Sequence, residues 1–382
     1  MNLPPWNLMK LNKKHLFFFF TILSSVRFFP RRIRRILSRR IMTAAILAFL
    51  IWIGVYAYHT PELPKEDGIA SLYSNQMNHN LKKTYLKAIY NAKKSILVLN
   101  FSIRDLSIIN ALNEQSRRGI NVRVITDAGT SKNLKNLISQ SIKIDYKQGQ
   151  GIMHLKLMVI DDNQVWIGSA NMTGDSLNRN GNLIFAVNSP LLAQAVNEEA
   201  KSMLSFAQKP PSTVTLQLSQ QKIELWFLPT AGSAALNHLQ NVFYHAKSSI
   251  RIAMFAWTHK RLADTIVNAH NRGVEVEVVL DREQALNSQD SVYQKLVEAG
   301  VNVSLSNTND LLHYKMAWID EKILVNGSLN WTHSAFNKND DCILIIDPLT
   351  KEQRISISNL WKVITSKVTR SYEENKKPTL TH

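Results

Sequence analysis

The sequence predicts an α/β protein built twice: two duplicated α/β/α sandwich lobes with pseudo-two-fold symmetry, preceded by one transmembrane helix. Three observations carry this reading. Helix-like and strand-like patterns alternate from residue 80 onward, as expected where helices cover the faces of a mixed sheet. The stretch Ala92 to Asp127 aligns without gaps on Ala246 to Asp281, at an offset of 154 residues. Ahead of both lies a run of eighteen residues without a charge, Ile41 to Tyr58. A repeat of that length is a whole lobe rather than a solenoid unit.

The elements follow in order. Residues 1–40 form a basic arm with ten Lys or Arg and no acid. Residues 41–58 are near the lower end of the roughly 17–25 needed to span a bilayer as a helix. The arginines between Arg31 and Arg40 flank one side only, which holds that side in the cytoplasm. The expectation is a single-pass membrane protein with its N-terminus cytoplasmic and its folded lobes extracytoplasmic. A cleaved signal peptide is the weaker alternative, because the apolar run exceeds the ~7–15 residues of a signal core. In residues 59–69, Pro61 and Pro64 favour an extended stalk. The first lobe, 70–208, opens on a helical run from Asn80, then a strand Ile96 to Phe101, a helix to Arg118 and a strand Val122 to Thr126. Lys209-Pro210-Pro211-Ser212 begins a linker assigned to 209–235. The second lobe, 236–368, repeats the pattern, and 369–382 is a polar tail.

The chain of 382 residues carries a net charge of +17. Beyond the arm, the first lobe is the more basic part, with 16 Lys or Arg against nine Asp or Glu over residues 69–208. That balance suits a phosphate-rich partner without choosing one. A single cysteine, Cys342, excludes an intrachain disulfide and a cysteine-rich zinc site. No metal-ligand spacing occurs elsewhere, so neither metal nor cofactor is expected.

The chemistry is concentrated in a string that appears twice. His154, Lys156, Asp161, Gly168, Ser169 and Asn171 recur as His313, Lys315, Asp320, Gly327, Ser328 and Asn330 at identical internal spacing. Two histidines, two lysines and two asparagines can converge on one phosphate, supplying a nucleophile, a proton donor and a cationic cradle. Strand parity sorts them. His154 and Lys156 are two apart and face one way, whereas Asp161 is an odd number of residues from His154 and faces the other. Asp161 and Asp320 are therefore expected to serve structure. A short turn after each aspartate returns the chain as an antiparallel strand and brings Gly-Ser-x-Asn alongside. His245, His259, His270 and His333 have no duplicate partner and read as surface or core residues, and Trp257 reads as pocket or core.

The doubled H-x-K-x4-D and G-S-x-N strings resemble the signature of the phospholipase D superfamily, over roughly residues 70 to 350. The resemblance implies a metal-independent phosphodiesterase that works through a phosphohistidine. By similarity His154 is the nucleophile and His313 the general acid and then base. Lys156, Lys315, Asn171 and Asn330 become phosphate ligands, with Ser169 and Ser328 in support. One departure stands out. The family places a glutamate twenty-eight residues after each motif histidine to orient an imidazole, and here those positions hold Asn182 and Asp341. One histidine should therefore lack the stabilisation a carboxylate gives its imidazolium. Both motifs lie on one chain, so a monomeric catalytic unit is expected. Phospholipid is the leading substrate, with the membrane reached through the N-terminal anchor. Nucleic acid cleaved by a nuclease, and a catalytically weak phosphate- or lipid-binding scaffold, are the alternatives.

Overall fold

In the computed structural model, residues 61–370 are described except 67, 148, 205–211 and 308, together with isolated helical positions 43, 44 and 47. The arm predicted at 1–40, the span at 41–58 apart from those three positions, and the tail beyond 370 lie outside the described residues. No helix among the described residues is long and apolar enough to cross a membrane.

The first lobe runs β1 (Ser71–Tyr73), α1 (Leu81–Asn91), β2 (Ser95–Asn100), α2 (Leu106–Arg117), β3 (Asn121–Asp127), α3 (Leu134–Leu137), β4 (Lys143–Lys147), β5 (Lys156–Ile160), β6 (Gln164–Gly168), α4 (Gly174–Asn178), β7 (Ile184–Asn188) and α5 (Pro190–Ser202). Its strands form one mixed sheet in the order β1-β7-β6-β5-β2-β3-β4, with β2, β3 and β4 parallel. Helix starts follow from local chemistry: Asn80 and Asp105 accept backbone N–H groups at the N-termini of α1 and α2.

The second lobe runs β8 (Thr213–Leu218), β9 (Gln221–Leu228), α6 (Gly232–Tyr244), β10 (Ser249–Met254), α7 (Lys260–Asn271), β11 (Glu275–Leu280), α8 (Arg282–Asn287), α9 (Tyr293–Glu298), β12 (Asn302–Ser306), β13 (Lys315–Ile319), β14 (Ile323–Gly327), α10 (His333–Asn337), β15 (Asp341–Asp347), α11 (Lys351–Thr365) and β16 (Val368–Arg370). Its sheet order is β16-β12-β11-β10-β13-β14-β15-β9-β8. The five extra residues of this lobe fall between β11 and β13, where α8 and α9 replace the single short α3.

The two sheets share a core. Leu99, Ile125, Leu157, Val159 and Phe185 of the first lobe lie in one buried cluster with their counterparts Ala253, Val279, Met316, Trp318 and Leu344 of the second. α5 and α11 contribute Leu192, Val196, Leu360 and Ile364 to the same cluster. Each lobe has a second cluster on its other face, beneath α1 and α2 in one and α6 and α7 in the other.

Two segments differ from their sequence assignments. The stretch assigned to a linker, 209–235, carries β8, β9 and the start of α6. β9 pairs with β15 over seven residues, and Val214, Leu216 and Leu218 of β8 pack on the central core. The alternating pattern T-V-T-L-Q-L was a strand signal behind the prolines. The described part of the stalk is not free, since the Pro61 and Pro64 carbonyls accept from Lys87 Nζ and Asn188 Nδ2 and Leu63 packs on the outer cluster.

The motif aspartates close the hairpins. Asp161 and Asp320 have φ of 55° and 50°, a left-handed conformation that aspartate tolerates better than most residues. Asp161 accepts from the backbone N–H groups of Lys93, Lys94 and Ser95, and Asp320 from those of Lys247, Ser248 and Ser249. Each carboxylate thus ties the motif hairpin to the strand beside it. Asp161→Ala and Asp320→Ala should each destabilise by about 1–3 kcal/mol in urea denaturation, because several N–H groups lose their acceptor at once. The double variant should show the sum, as the two sites share no partner.

Candidate active site

The motif strands begin at the same edge of their sheets. β5 starts at Lys156 opposite Asn100, the last residue of β2, and β13 starts at Lys315 opposite Met254, the last residue of β10. Gly168 and Gly327 end the return strands where a Cβ would lie 2.4 Å from Leu183 O and 2.3 Å from Cys342 O. Only glycine admits that approach. It brings Ser169 and Ser328 against the residues that open β7 and β15.

The contacts that define the site cross between lobes. His154 Nδ1 lies 2.8 Å from Asp341 Oδ1, and His313 Nδ1 lies 3.0 Å from Asn182 Oδ1. Each serine supports the orienting residue of its own lobe: Ser169 Oγ donates to Asn182 Oδ1 at 2.8 Å and Ser328 Oγ to Asp341 Oδ1 at 2.6 Å. Those hydroxyls in turn accept from the N–H groups of Leu183 and Cys342. Backbone bonds complete the stitching, from His154 N to Asp340 O and from Gly181 N to Leu311 O.

Asn182 can be assigned its orientation from its surroundings. Its Nδ2 lies 2.9 Å from the Ser176 carbonyl, which can only accept. Oδ1 must therefore face His313, and His313 must carry its proton on Nδ1. An amide thus fixes the same tautomer that a carboxylate would, without the charge. Asp341 does the same for His154, and both Nε2 atoms are left with lone pairs.

Lys156 and Lys315 are 1% and 2% exposed, and each donates to the carbonyl of its own motif histidine, at 2.6 and 2.9 Å. Their ammonium positions lie 5.1 and 4.8 Å from the ring centres of Phe101 and Phe255, against which His154 and His313 also pack. Sequence reasoning missed these phenylalanines, although they occupy equivalent positions in the aligned repeat. Tyr314 was missed for the opposite reason, since its counterpart is Leu155. Its hydroxyl donates to Gln76 Oε1 of the first lobe, and its ring fills the space a Cβ on Gly181 would take.

Asn171 and Asn330 each leave Oδ1 buried with no hydrogen-bond partner among the described residues. Two orphan amide ends at equivalent positions suit a bound anion, whose oxygens would accept from the NH2 groups once the amides turn. Trp257 packs edge-on against Trp331 in the second lobe's outer core. His259 is buried beside Phe336, whereas His245 and His333 are exposed.

Burial dominates the electrostatics. It lowers His154 to about 4, against the opposing pull of Asp341. Burial thus favours the neutral imidazole at this 2.8 Å contact, with Nδ1–H donating to the carboxylate. His313 is held well below its ordinary value by burial and by Lys315 and Lys156, with no carboxylate to oppose them. Burial lowers Lys156 to about 7 and Lys315 well below the usual range for lysine. No group of three or more His, Cys, Asp or Glu side chains able to hold a metal occurs among the described residues.

A family model described as "Cardiolipin synthase, PLD-like domain" matches residues 85–204 and 239–361, one match per lobe. The chain belongs to the phospholipase D-like family. Among its relatives, a mitochondrial cardiolipin hydrolase of Chlamydomonas reinhardtii is 33% identical over 144 residues, covering 37% of this chain and 62% of that protein. The human mitochondrial cardiolipin hydrolase is 35% identical over 117 residues, 30% of this chain and 46% of the relative. The matches therefore span less than two thirds of these relatives. A phospholipase D of Rickettsia felis is 27% identical over 164 residues, covering 43% of this chain and 80% of the relative. The fold is shared with the phosphatidylserine synthase of Haemophilus influenzae, at a TM-score of 0.64 and 16% identity over 83% of this chain and 92% of the other.

Two predictions follow from the buried charges. Replacing Lys156 by Met should raise stability at pH 7 by about 1–4 kcal/mol, because a desolvated amine gives way to an apolar isostere. The folded Lys156 titrates near 7 and the unfolded one near 10.5, so the unfolded chain binds more protons between those values. Wild-type stability should accordingly rise with pH across that window and the Lys156→Met variant should lose this rise, both read by thermal melting. Asn182→Asp should destabilise by about 1–3 kcal/mol, since one carboxylate oxygen would face the Ser176 carbonyl now bonded to Nδ2. Unchanged melting would contradict the orientation assigned to Asn182.

Proposed function

We propose that the chain is a metal-independent phosphodiesterase that acts on phospholipids through a phosphohistidine intermediate. One observation carries the reading: two buried imidazoles from opposite lobes have Nδ1 engaged by fixed acceptors, which leaves both Nε2 atoms for one substrate. His154 attacks phosphorus through Nε2, forming an N–P bond as the P–O bond to the leaving alcohol breaks. His313, protonated at Nε2 when the anionic phosphodiester arrives, gives that proton to the leaving oxygen. It then takes a proton from water, whose oxygen attacks phosphorus and breaks the N–P bond. Asp341 supports the growing positive charge on His154, which is why His154 is assigned the attack.

Lys156, Lys315, Asn171 and Asn330 hold the non-bridging oxygens, with Ser169 and Ser328 fixing Asn182 and Asp341. Binding an anion restores the charge on the lysines, so the site is built to charge when occupied. Phospholipid is favoured by the relatives named for cardiolipin hydrolysis and phospholipase D activity. The extracytoplasmic, membrane-anchored placement read from the arginines before Ile41 belongs to the same proposal.

The assignment is tested by trapping. With a phosphodiester bearing a good leaving group, His313→Ala should still form an acid-labile phosphoenzyme and His154→Ala should not; the reverse would exchange the roles. Vesicle phospholipid with a primary alcohol present should yield the phosphatidyl alcohol, and a chelator should leave turnover intact. Cleavage of single-stranded DNA with no lipid turnover would make the protein a nuclease, and silence on both would leave a phosphate-binding scaffold. In the free enzyme kcat/KM should fall as pH rises through about 7, where Lys156 loses its proton. A rate still rising above pH 8 would contradict a charged Lys156 in the cradle.

A further inference from the structure

The rim around the candidate site carries exposed aliphatic and basic side chains together. Three of its loops leave the edge of the sheet at which β5 begins, and they are fastened together. Thr130 Oγ1 donates to Phe101 O, Ser131 Oγ accepts from Ile103 N, and Asp127 accepts from both Gly129 N and Met153 N. The neighbouring second-lobe loop joins them through Asp340 N to Ile152 O, and Gly151 packs directly on the Lys338 carbonyl.

This fastened rim presents two aliphatic side chains to water. Leu106, at the first position of α2, is 60% exposed, and Ile152, two residues before His154, is 41% exposed. Around them stand Arg104, Lys132 and Lys338, all exposed and without an ion pair among the described residues. Of the acids on these loops, Asp105 caps α2 and pairs with Lys82, Asp127 holds the loop backbone, and Asp340 is half-buried beside Ile152, so the three exposed cations outnumber the one acid left at the surface. Directly behind this rim His154 is only 6% exposed, so a phosphodiester must be delivered to it from the surface.

We infer that the rim formed by Leu106 and Ile152 with Arg104, Lys132 and Lys338 is a docking surface for an anionic lipid bilayer, which presents headgroups to His154. This rests on the phospholipid reading above. Exposed aliphatic tips gain by entering the acyl boundary, while the cations gain from the negative surface. A nucleic acid would use the cations and leave both aliphatic side chains in water.

The chain offers a direct test. Its one cysteine, Cys342, is completely buried, so Leu106→Cys or Ile152→Cys in the full chain can be labelled at one site with a polarity-sensitive fluorophore. Leu191 is 63% exposed near the N-terminus of α5, and α5 follows the end of β7 that points away from the rim. Leu191→Cys is therefore the control. On adding vesicles of phosphatidylcholine with phosphatidylglycerol, labels at 106 and 152 should shift to the blue and become shielded from an aqueous quencher, and the label at 191 should not. Equal shifts at all three positions, or none at 106 and 152, would overturn the docking surface. A shift at 106 and 152 with single-stranded DNA but not with vesicles would assign the rim to nucleic acid instead.

The double variant Leu106→Asp with Ile152→Asp should turn over vesicle lipid at least about tenfold more slowly, from lost burial of two aliphatic groups. It should keep the wild-type rate on a water-soluble phosphodiester. Loss on both substrates in equal measure would contradict a docking role. Failure of the wild type on vesicle lipid, with the soluble substrate still cleaved, would instead sink the phospholipid reading itself.

Discussion

The structure depends on a crossing. Each motif histidine is held by a residue of the other lobe, Asp341 for His154 and Asn182 for His313, and each holder is braced by the serine of its own motif. Neither lobe contains a complete half-site. The shared core of equivalent residues, from Leu99 and Ala253 to Phe185 and Leu344, brings the opposite holders within hydrogen-bond distance. Inter-lobe packing and imidazole tautomer are in this sense one constraint, and a shift of either sheet would be felt first at Nδ1.

Symmetry of position does not bring symmetry of charge. His154 faces a carboxylate and His313 an amide, so the positive charge of one imidazolium is compensated and that of the other is not. The local surroundings explain why the amide is tolerated: Ser176 offers a carbonyl and a hydroxyl to Asn182 Nδ2, whereas the equivalent second-lobe position is Ala335 and Asp341 Oδ2 has no partner among the described residues. Two lysines desolvated in the same space destabilise the empty protein and are relieved when an anion enters. On the proposed phosphodiesterase reading, such a site would hold its binding energy in reserve for the charged ligand.

Much of this was legible in the sequence because the duplication acts as its own alignment. Strand parity grouped His154 with Lys156 and turned Asp161 away, although β5 begins only at Lys156, and the fixed spacing put Ser169 and Asn171 just past the end of the return strand β6. Parity says which face a side chain takes, not which lobe supplies its partner, so the pairing of His154 with Asp341 and His313 with Asn182 was visible only in three dimensions. Phe101 and Phe255 could have been found, since they match across the repeat. Tyr314 could not, because it has no duplicate and its role lies in contacts with Gln76 and Gly181. The strands of 213–228 were hidden by the prolines before them, although their alternation was regular.

The tautomer of His154 is the property on which the account turns. In protein labelled with 15N at histidine, imidazole shifts measured between pH 5 and 9 should show His154 neutral, with its proton on Nδ1 and an unprotonated Nε2. Asp341→Asn should move the His154 signals while leaving His313 in place. An imidazolium at pH 7, a proton on Nε2 of His154, or a response of His313 instead of His154 to Asp341→Asn would contradict the crossed arrangement.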